Sequence, residues 1–282
     1  MLHFDAHKPL SVSIVLYKTP IHQLHRCLES LINCQSIGPI YVLDNSPSNA
    51  LKYSLPTGLD IQYYHFPKNP GYGAAHNFAL NISIDDGRPY HLVINPDVYF
   101  EGDVMAPMLS YMETNLGVGQ MMPMVLNTDQ SIQRLCKLVP APCDLLFRRF
   151  TFGKSREKLN RDFELHDSGY NKLMFVPYLS GCFMLLRVST LKDVGVFDER
   201  FFMYPEDIDL TRRIAAKYET IFFPSVSVIH EYGAASKKSI RMFLVHSFNI
   251  IKYFNKWGWL IDSDRVSLNL KTLSQFNRRQ KD

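Results

Sequence analysis

Apolar residues in this chain fall into short continuous runs, and between the runs they recur at every third or fourth position. Ser11-Val12-Ser13-Ile14-Val15-Leu16-Tyr17 predicts a buried strand. Thr19-Pro20 then offers an N-cap and an N1 proline to a helix with Ile21, Leu24, Leu28 and Leu31 on one face. Ile40 to Asp44 predicts a second strand closing on Asp44-Asn45-Ser46. Ile61 to His65 predicts a third, leading into Asn69-Pro70-Gly71-Tyr72-Gly73 and a helix that aligns Ala75, Phe78, Ala79 and Ile82. His91 to Asn95 is the fourth. Strand and helix thus alternate, with polar signals at the C-terminal ends of the strands, where open α/β sheets bind ligands.

The pattern continues with a helix near 103–114 and a strand near 118–125, then loses any sustained period over 134–172, which is expected to be irregular and mobile. Tyr178 to Leu186 predicts a further strand, Pro205 to Tyr218 a helix, and 220–223 a strand ahead of His230. From 237 onward a long helix is expected, with Ile240, Phe243, Leu244, Ser247, Ile251 and Phe254 on one stripe. That helix suits either docking on its own domain or attachment to a membrane surface, together with Trp257 and Trp259 after it.

Composition narrows the picture. A chain of 282 residues with 46% hydrophobic and 13% aromatic content can bury the core of one large α/β unit. No apolar run is long enough to span a bilayer, and the first residues lack a signal-peptide pattern, so a cytoplasmic protein is expected. Its five cysteines form no CxxC pair, which argues for reduced, structural thiols. Net charge is +4, yet residues 134–161 hold eight Lys or Arg against Asp144 and Glu157, a local excess of six. Leu145, Leu146, Phe147, Phe150 and Phe152 are interleaved with them. This mixture suits an anionic membrane or a lipid diphosphate, and a solvated loop explains it equally well.

Several motifs carry candidate chemistry. Gly71-Tyr72-Gly73-Ala74-Ala75-His76-Asn77 is a poor dinucleotide fingerprint, since it follows the third strand and ends on Asn77 where a glycine belongs. Asp44 at a strand tip can accept from a pyrimidine N3–H or simply cap its own turn. Asp97, in Asn95-Pro96-Asp97, offers a hard oxygen ligand for a divalent cation or a turn residue after proline. Glu206 and Asp207 follow Pro205 at a helix start, where acids also serve the helix dipole. Asp209 is expected to pair with Arg212 and Arg213 along the helix, for about 0.5 kcal/mol. His230 closes an apolar strand and suits either a core position or a metal.

In order, these motifs, with Gly181-Cys182-Phe183 and Phe197-Asp198-Glu199-Arg200-Phe201-Phe202 between them, resemble the family 2 inverting glycosyltransferases over about residues 11–235. Bacterial rhamnosyltransferases of surface polysaccharide synthesis are the most similar group, Asn-Pro-Asp standing in for the usual Asp-x-Asp. The resemblance implies an α/β GT-A fold, a mostly parallel central sheet flanked by helices. A domain over 1–235 would have a donor half to about 100 and an acceptor half from about 101, followed by a helical extension over 236–282. It implies donor contacts from Tyr17, Asp44, Asn69, Gly71, Gly73, Asn77, Asn95 and Asp97, and acceptor contacts from Gly181, Asp198 and Glu206. Asp207 becomes the catalytic base with Glu206 beside it, and Asp97 with His230 the ligands of a divalent cation, Mg2+ or Mn2+.

The implied reaction moves a sugar, with L-rhamnose from dTDP-rhamnose the leading expectation, onto a saccharide carried on a diphosphate lipid, in O-antigen or capsule synthesis. A UDP-hexose or UDP-galactofuranose donor is the alternative within the fold, and a non-catalytic nucleotide-sugar or glycan-binding protein the alternative of another class. Nucleic acid is not an expected partner. Contact with the inner face of the cytoplasmic membrane is.

Overall fold

The computed structural model describes residues 8–146, 157, 160–231 and 240–277. Among these the strands, in chain order, are β1 Leu10–Leu16, β2 Ile37–Asp44, β3 Ile61–His65, β4 Tyr90–Ile94, β5 Val98–Tyr99, β6 Val118–Leu126, β7 Cys136–Lys137, β8 Met174–Phe175, β9 Tyr178–Leu179, β10 Phe183–Arg187 and β11 Glu219–His230. The helices are α1 Ile21–Ile32, α2 Tyr72–Asp85, α3 Met105–Thr114, α4 Pro142–Leu146, α5 Val188–Val194, α6 Pro205–Ala215, α7 Ile240–Trp257 and α8 Ser263–Asn277. One sheet runs in the order β3-β2-β1-β4-β10-β6-β11-β5, with β8 on β11, while β7 and β9 form a separate ribbon. The first four of these strands are mutually parallel, and β10 enters antiparallel between β4 and β6.

Strand β1 shows why the sheet needs helices on both faces. Leu10, Val12, Ile14 and Leu16 point one way into the cluster that holds Leu24, Leu28 and Leu31 of α1, while Val15 packs the other way on Ala75 and Ala79 of α2. Ser11 and Ser13 share that second face. Their hydroxyls meet His91 Nδ1 at 2.9 Å and His76 Nδ1 at 2.7 Å, and Ser13 also lies 2.8 Å from His91 Nε2. Burial holds both imidazoles neutral, pushing His91 down to about 3, so the interior keeps a polar knot without a charge.

Several expectations are corrected by packing. Thr19 does not cap α1, since its hydroxyl accepts from Tyr17 N at 3.2 Å and Pro20 is the cap residue. The run Tyr178 to Leu186 breaks at Ser180-Gly181 into β9 and β10. The 220–223 strand and His230 belong to one strand, β11, which carries a register irregularity between Phe223 and Ser227. Within 134–172, β7 and α4 are regular, and most of the basic residues expected there lie outside the described residues. The sequence pattern did not separate α8 from α7.

The C-terminal helices are bound to α6. Ile250, Tyr253 and Phe254 of α7 pack on Phe201 and Ile208, so of the stripe expected from the sequence Phe254 docks, whereas Leu244 and Ile251 point outward. Arg212 pairs with Asp262 and lies 3.3 Å from the Tyr253 hydroxyl, its guanidinium 3.8 Å from the Trp257 ring centre. Asp209 accepts from Arg213 Nε at 2.9 Å, Lys256 Nζ at 2.6 Å and Trp257 Nε1 at 2.8 Å, and is fully buried. Arg212, expected beside it, serves Asp262 instead. On α8, the Gln275 amide accepts from Phe175 N and donates to Phe175 O, closing the edge of β8 as a further strand would.

Asp209 is therefore worth more than a helical ion pair. Asp209→Asn removes a buried charge that two partly buried cations share and should cost about 3 kcal/mol in urea unfolding. A loss near the 0.5 kcal/mol of an exposed helical pair would mean the C-terminal helices do not depend on it.

Candidate active site

A cavity of about 740 Å3 opens beside the C-terminal end of β4 and the start of α6, with Tyr72, Asn95, Gly181, Glu206, Asp207 and His230 in its wall. The pairing of β5 with β11 sets His230 opposite Val98, and Glu231 N donates to Asp97 O at 2.9 Å. This register brings His230 Nε2 to 3.4 Å from Asp97 Oδ1. Gln133 orients the ring: its Nε2 donates to His230 O at 2.7 Å, which turns Oε1 toward Nδ1 at 3.0 Å, where it accepts the ring proton. Nε2 of the ring thus faces the carboxylate. Asp97 Oδ1 is buried and accepts no hydrogen bond from the described residues. Two electron-rich atoms held together in this way fit a shared cation. Among the described residues no group of three or more His, Cys, Asp or Glu gathers for a metal.

The acid pair sits at the first turn of α6, entered through Tyr204 at φ 93° and fixed by Pro205 at N1. Asp207 Oδ2 accepts from Gly181 N at 2.9 Å and Oδ1 from its neighbour Ile208 N at 2.8 Å. A Cβ on Gly181 would stand 3.1 Å from that of Asp207, so the glycine lets the carboxylate reach the backbone. Burial pushes Asp207 up to about 6, and the two N–H groups with Lys137 limit the rise. Glu206 is raised well above the carboxylate range by burial and by the charge of Asp207, and its Oε2 accepts nothing from the described residues. Of these adjacent acids, Asp207, with its two backbone donors, ionises first, and Glu206 holds its proton to higher pH.

Tyr72 joins the two centres and was absent from the sequence reading of the site. Its hydroxyl lies 2.9 Å from Asn95 Oδ1 and 2.8 Å from Gly181 O, linking the turn that carries Asp97 to the strand junction that holds Asp207. Its position between two site glycines was the only available signal. Gly71, at φ 108°, and Gly73 are needed for close approach: an added Cβ would fall 2.6 Å from Phe202 O and 2.9 Å from Phe197 Cβ respectively. Asn69 Oδ1 accepts from Gly71 N at 3.2 Å and shapes this loop.

The other expected residues lie around the centre or away from it. Asp44 is buried, accepting from Ser46 N at 2.8 Å and from the Tyr63 hydroxyl at 2.7 Å. Tyr17 is half-exposed in the neighbouring loop, which Lys18 N ties to Ser46 Oγ at 2.8 Å. Asn77 does not reach the cavity: its amide exchanges hydrogen bonds with the Phe197 backbone at 2.9 Å and donates to Glu199. Asp198 is likewise consumed by Arg200 and by Lys256 at 2.8 Å, which hold it well below the usual carboxylate range, and it clamps α7 instead of meeting an acceptor.

Residues 11–195, which carry the β1 to α2 half and the Asn95-Pro96-Asp97 turn, match the family model described as glycosyl transferase family 2. The chain belongs to that family. It is 28% identical over 246 residues to the N-acetylglucosaminyl-diphospho-decaprenol L-rhamnosyltransferase of Mycobacterium tuberculosis, covering 78% of this chain and 75% of that one. It is 27% identical over 215 residues to rhamnosyltransferase WbbL of Escherichia coli strain K12, covering 73% and 78%. Its fold is that of GalNAc-T7, solved with UDP, GalNAc and Mn2+, at a TM-score of 0.58 and 13% identity; the match covers 96% of this chain and 56% of that one. Staphylococcus aureus TarS gives a TM-score of 0.59 at 14% identity, with this chain spanning 43% of its length. This family 2 chain therefore has the GT-A architecture.

Proposed function

We propose that the protein transfers a sugar from a nucleoside diphosphate donor to a saccharide on a diphosphate lipid, with inversion at the anomeric carbon. The observation that carries this reading is Asp207, ionised near neutrality and held by Gly181 N, in the same cavity as His230. The two rhamnosyltransferase relatives support L-rhamnose from dTDP-rhamnose as the donor, and the name of the mycobacterial one supports a prenyl diphosphate acceptor in polysaccharide synthesis.

In one displacement the acceptor hydroxyl oxygen bonds to the anomeric carbon while the bond from that carbon to the diphosphate oxygen breaks. Asp207 takes the hydroxyl proton, and the nucleoside diphosphate leaves with the electron pair. Glu206, still protonated, can donate a hydrogen bond to the acceptor. The Asp44 turn, the Tyr17 loop and the Gly71 loop are the proposed wall for the nucleotide. Asp97 and His230 fit a divalent cation, Mg2+ or Mn2+, which when bound supplies charge neutralisation for the departing diphosphate.

No helix among the described residues is long and apolar enough to cross a membrane. Leu244, Phe248 and Ile251, exposed on one side of α7, are a proposed surface for peripheral attachment. Binding to anionic vesicles should weaken with salt and with Phe248→Glu; flotation without any vesicle binding at low ionic strength removes this part.

Two kinetic tests address the chemistry. Asp97→Ala, or excess chelator on the native protein, should reduce turnover of the nucleotide sugar by at least about 10²-fold, and full activity in either case sinks the metal assignment. A base must be ionised to act, so kcat should fall as pH drops through about 6, where Asp207 takes up its proton. Asp207→Asn should lower kcat by about 10²–10⁴-fold while donor affinity stays near its native value. Unchanged kcat in a folded Asp207→Asn variant would move the base to another carboxylate.

A further inference from the structure

Tyr204 lines the cavity directly ahead of Pro205 and the acid pair, in a backbone conformation that side chains avoid. At φ 93° and ψ −70° it lies near the centre of the rare, strained form of γ-turn, about +75° and −65°. Such a turn is closed by an N–H of the following residue donating to the carbonyl of the preceding one. Pro205 has no N–H to give. Proline also restricts the residue ahead of it to extended backbone, which Tyr204 does not adopt. The strain is therefore not offset within the turn.

Neighbouring elements impose it. Met203 O, the carbonyl that lacks the turn's own donor, accepts from Asn249 Nδ2 of α7 at 2.9 Å, and Asn249 is buried. Phe202 O accepts from Tyr72 N at 3.0 Å, and Pro205 is buried in the first turn of α6. Strain held from several sides in this way marks a side chain placed for use. The Tyr204 ring stands nearly perpendicular to that of His246 on α7, centres 4.7 Å apart and planes at 79°, and His246 lines the same cavity. After Pro205, Glu206 adds a polar atom to this wall: its Oε2 is buried and has no hydrogen-bond partner among the described residues. A sugar hydroxyl both donates and accepts, so it satisfies that oxygen in either protonation state. An aromatic ring beside an unmet buried oxygen suits a pyranose, whose ring carbons offer an apolar face and whose rim carries hydroxyls.

We propose that Tyr204, set by His246 and Asn249, is the stacking platform for the sugar ring of the acceptor, one hydroxyl of which meets Glu206. This rests on the transferase reading above and names the acceptor's sugar subsite within it. The donor's own sugar offers the same chemistry. Position favours the acceptor: Tyr204 and His246 meet where α6 and α7 adjoin, just ahead of the proposed base, whereas the proposed nucleotide wall is formed by the ends of β1 and β2 and the start of α2.

Calorimetric titration reads what each sugar adds to binding. N-acetylglucosaminyl-diphospho-geraniol is compared with geranyl diphosphate. With Mn2+ present, dTDP-rhamnose and UDP-glucose are compared with thymidine and uridine diphosphate. The proteins are the native chain, Tyr204→Phe, Tyr204→Ala and Tyr204→Gly. The affinity added by N-acetylglucosamine should fall about tenfold in the alanine and glycine variants, as for one aromatic contact and the area it buries, and persist in Tyr204→Phe. The contribution of the donor sugar should stay within about twofold. Thermal unfolding reads the strain: Tyr204→Gly should melt above Tyr204→Ala, against the usual order, because the two differ only in the Cβ that this backbone angle disfavours. An unaltered N-acetylglucosamine contribution in Tyr204→Ala overturns the proposal. So does an equal loss in Tyr204→Phe, a loss confined to the donor sugar, or a glycine variant that melts no higher than the alanine one. If the native protein binds a nucleoside diphosphate but gains nothing from N-acetylglucosamine, the sugar subsite fails and the transferase reading stands; if it binds none of these compounds, the reading beneath it has failed as well.

Discussion

Helix α6 is the element on which the rest of the structure depends, because its sequence forces charged groups into the interior. Glu206, Asp207, Asp209 and Arg212 are all buried, and a charge removed from water must be paired, hydrogen-bonded or neutralised. Each solution recruits a different part of the chain. Asp207 takes the Gly181 backbone, which requires a glycine between β9 and β10. Asp209 and Arg212 take Lys256, Trp257, Tyr253 and Asp262, which require the C-terminal helices. Glu206 keeps one carboxyl oxygen without a partner among the described residues and holds its proton to higher pH than an ordinary carboxylate. The acid at the cavity and the helical scaffold behind it are thus opposite sides of one short helix.

The same reasoning explains the separation of roles between neighbouring acids. Like charges in one low-dielectric site raise each other's proton affinity, and the carboxylate with more hydrogen-bond donors ionises first. Backbone N–H groups give Asp207 that advantage. A carboxyl raised to about 6 is also a costly group to keep buried, since the folded protein holds its proton to higher pH than the unfolded chain does. Stability from this group is present at low pH and is lost as pH rises through about 6, which is where the proposed base ionises. Activity and stability therefore pull in opposite directions at this residue.

Tyr72 shows how the sheet transmits precision. Its hydroxyl touches both the Asn95 turn and Gly181, so Asp97, the proposed cation ligand, and Asp207, the proposed base, are referenced to one atom rather than to separate loops. The neutral serine and histidine knot beneath α2 supports the same helix, and His76 packs edge-on against the Tyr72 ring with centres 4.5 Å apart.

Much of this was legible in the sequence because it depends on local rules. The alternating runs identified β1 to β4 and the helices between them, and the order of motifs pointed to the family that the comparison then established. Asp97, His230, Glu206 and Asp207 were readable as candidates through the order of the motifs, since each by itself also suits a turn, a helix dipole or a core position. What tertiary structure alone decided were relations between distant residues. The approach of His230 to Asp97 depends on the pairing of β11 with β5, two strands far apart in the chain. Asn77 and Asp198 could not be told from ligand contacts because a polar side chain looks the same in sequence whether it faces a cavity or a backbone 120 residues away. The docked face of α7 was misread for the same reason: the helix is apolar on more than one side, and only Phe201, Ile208 and the charges of α6 select which side is buried. Periodicity determines that an element exists and which residues share a face; burial of charge, a three-dimensional constraint, determines what each face meets.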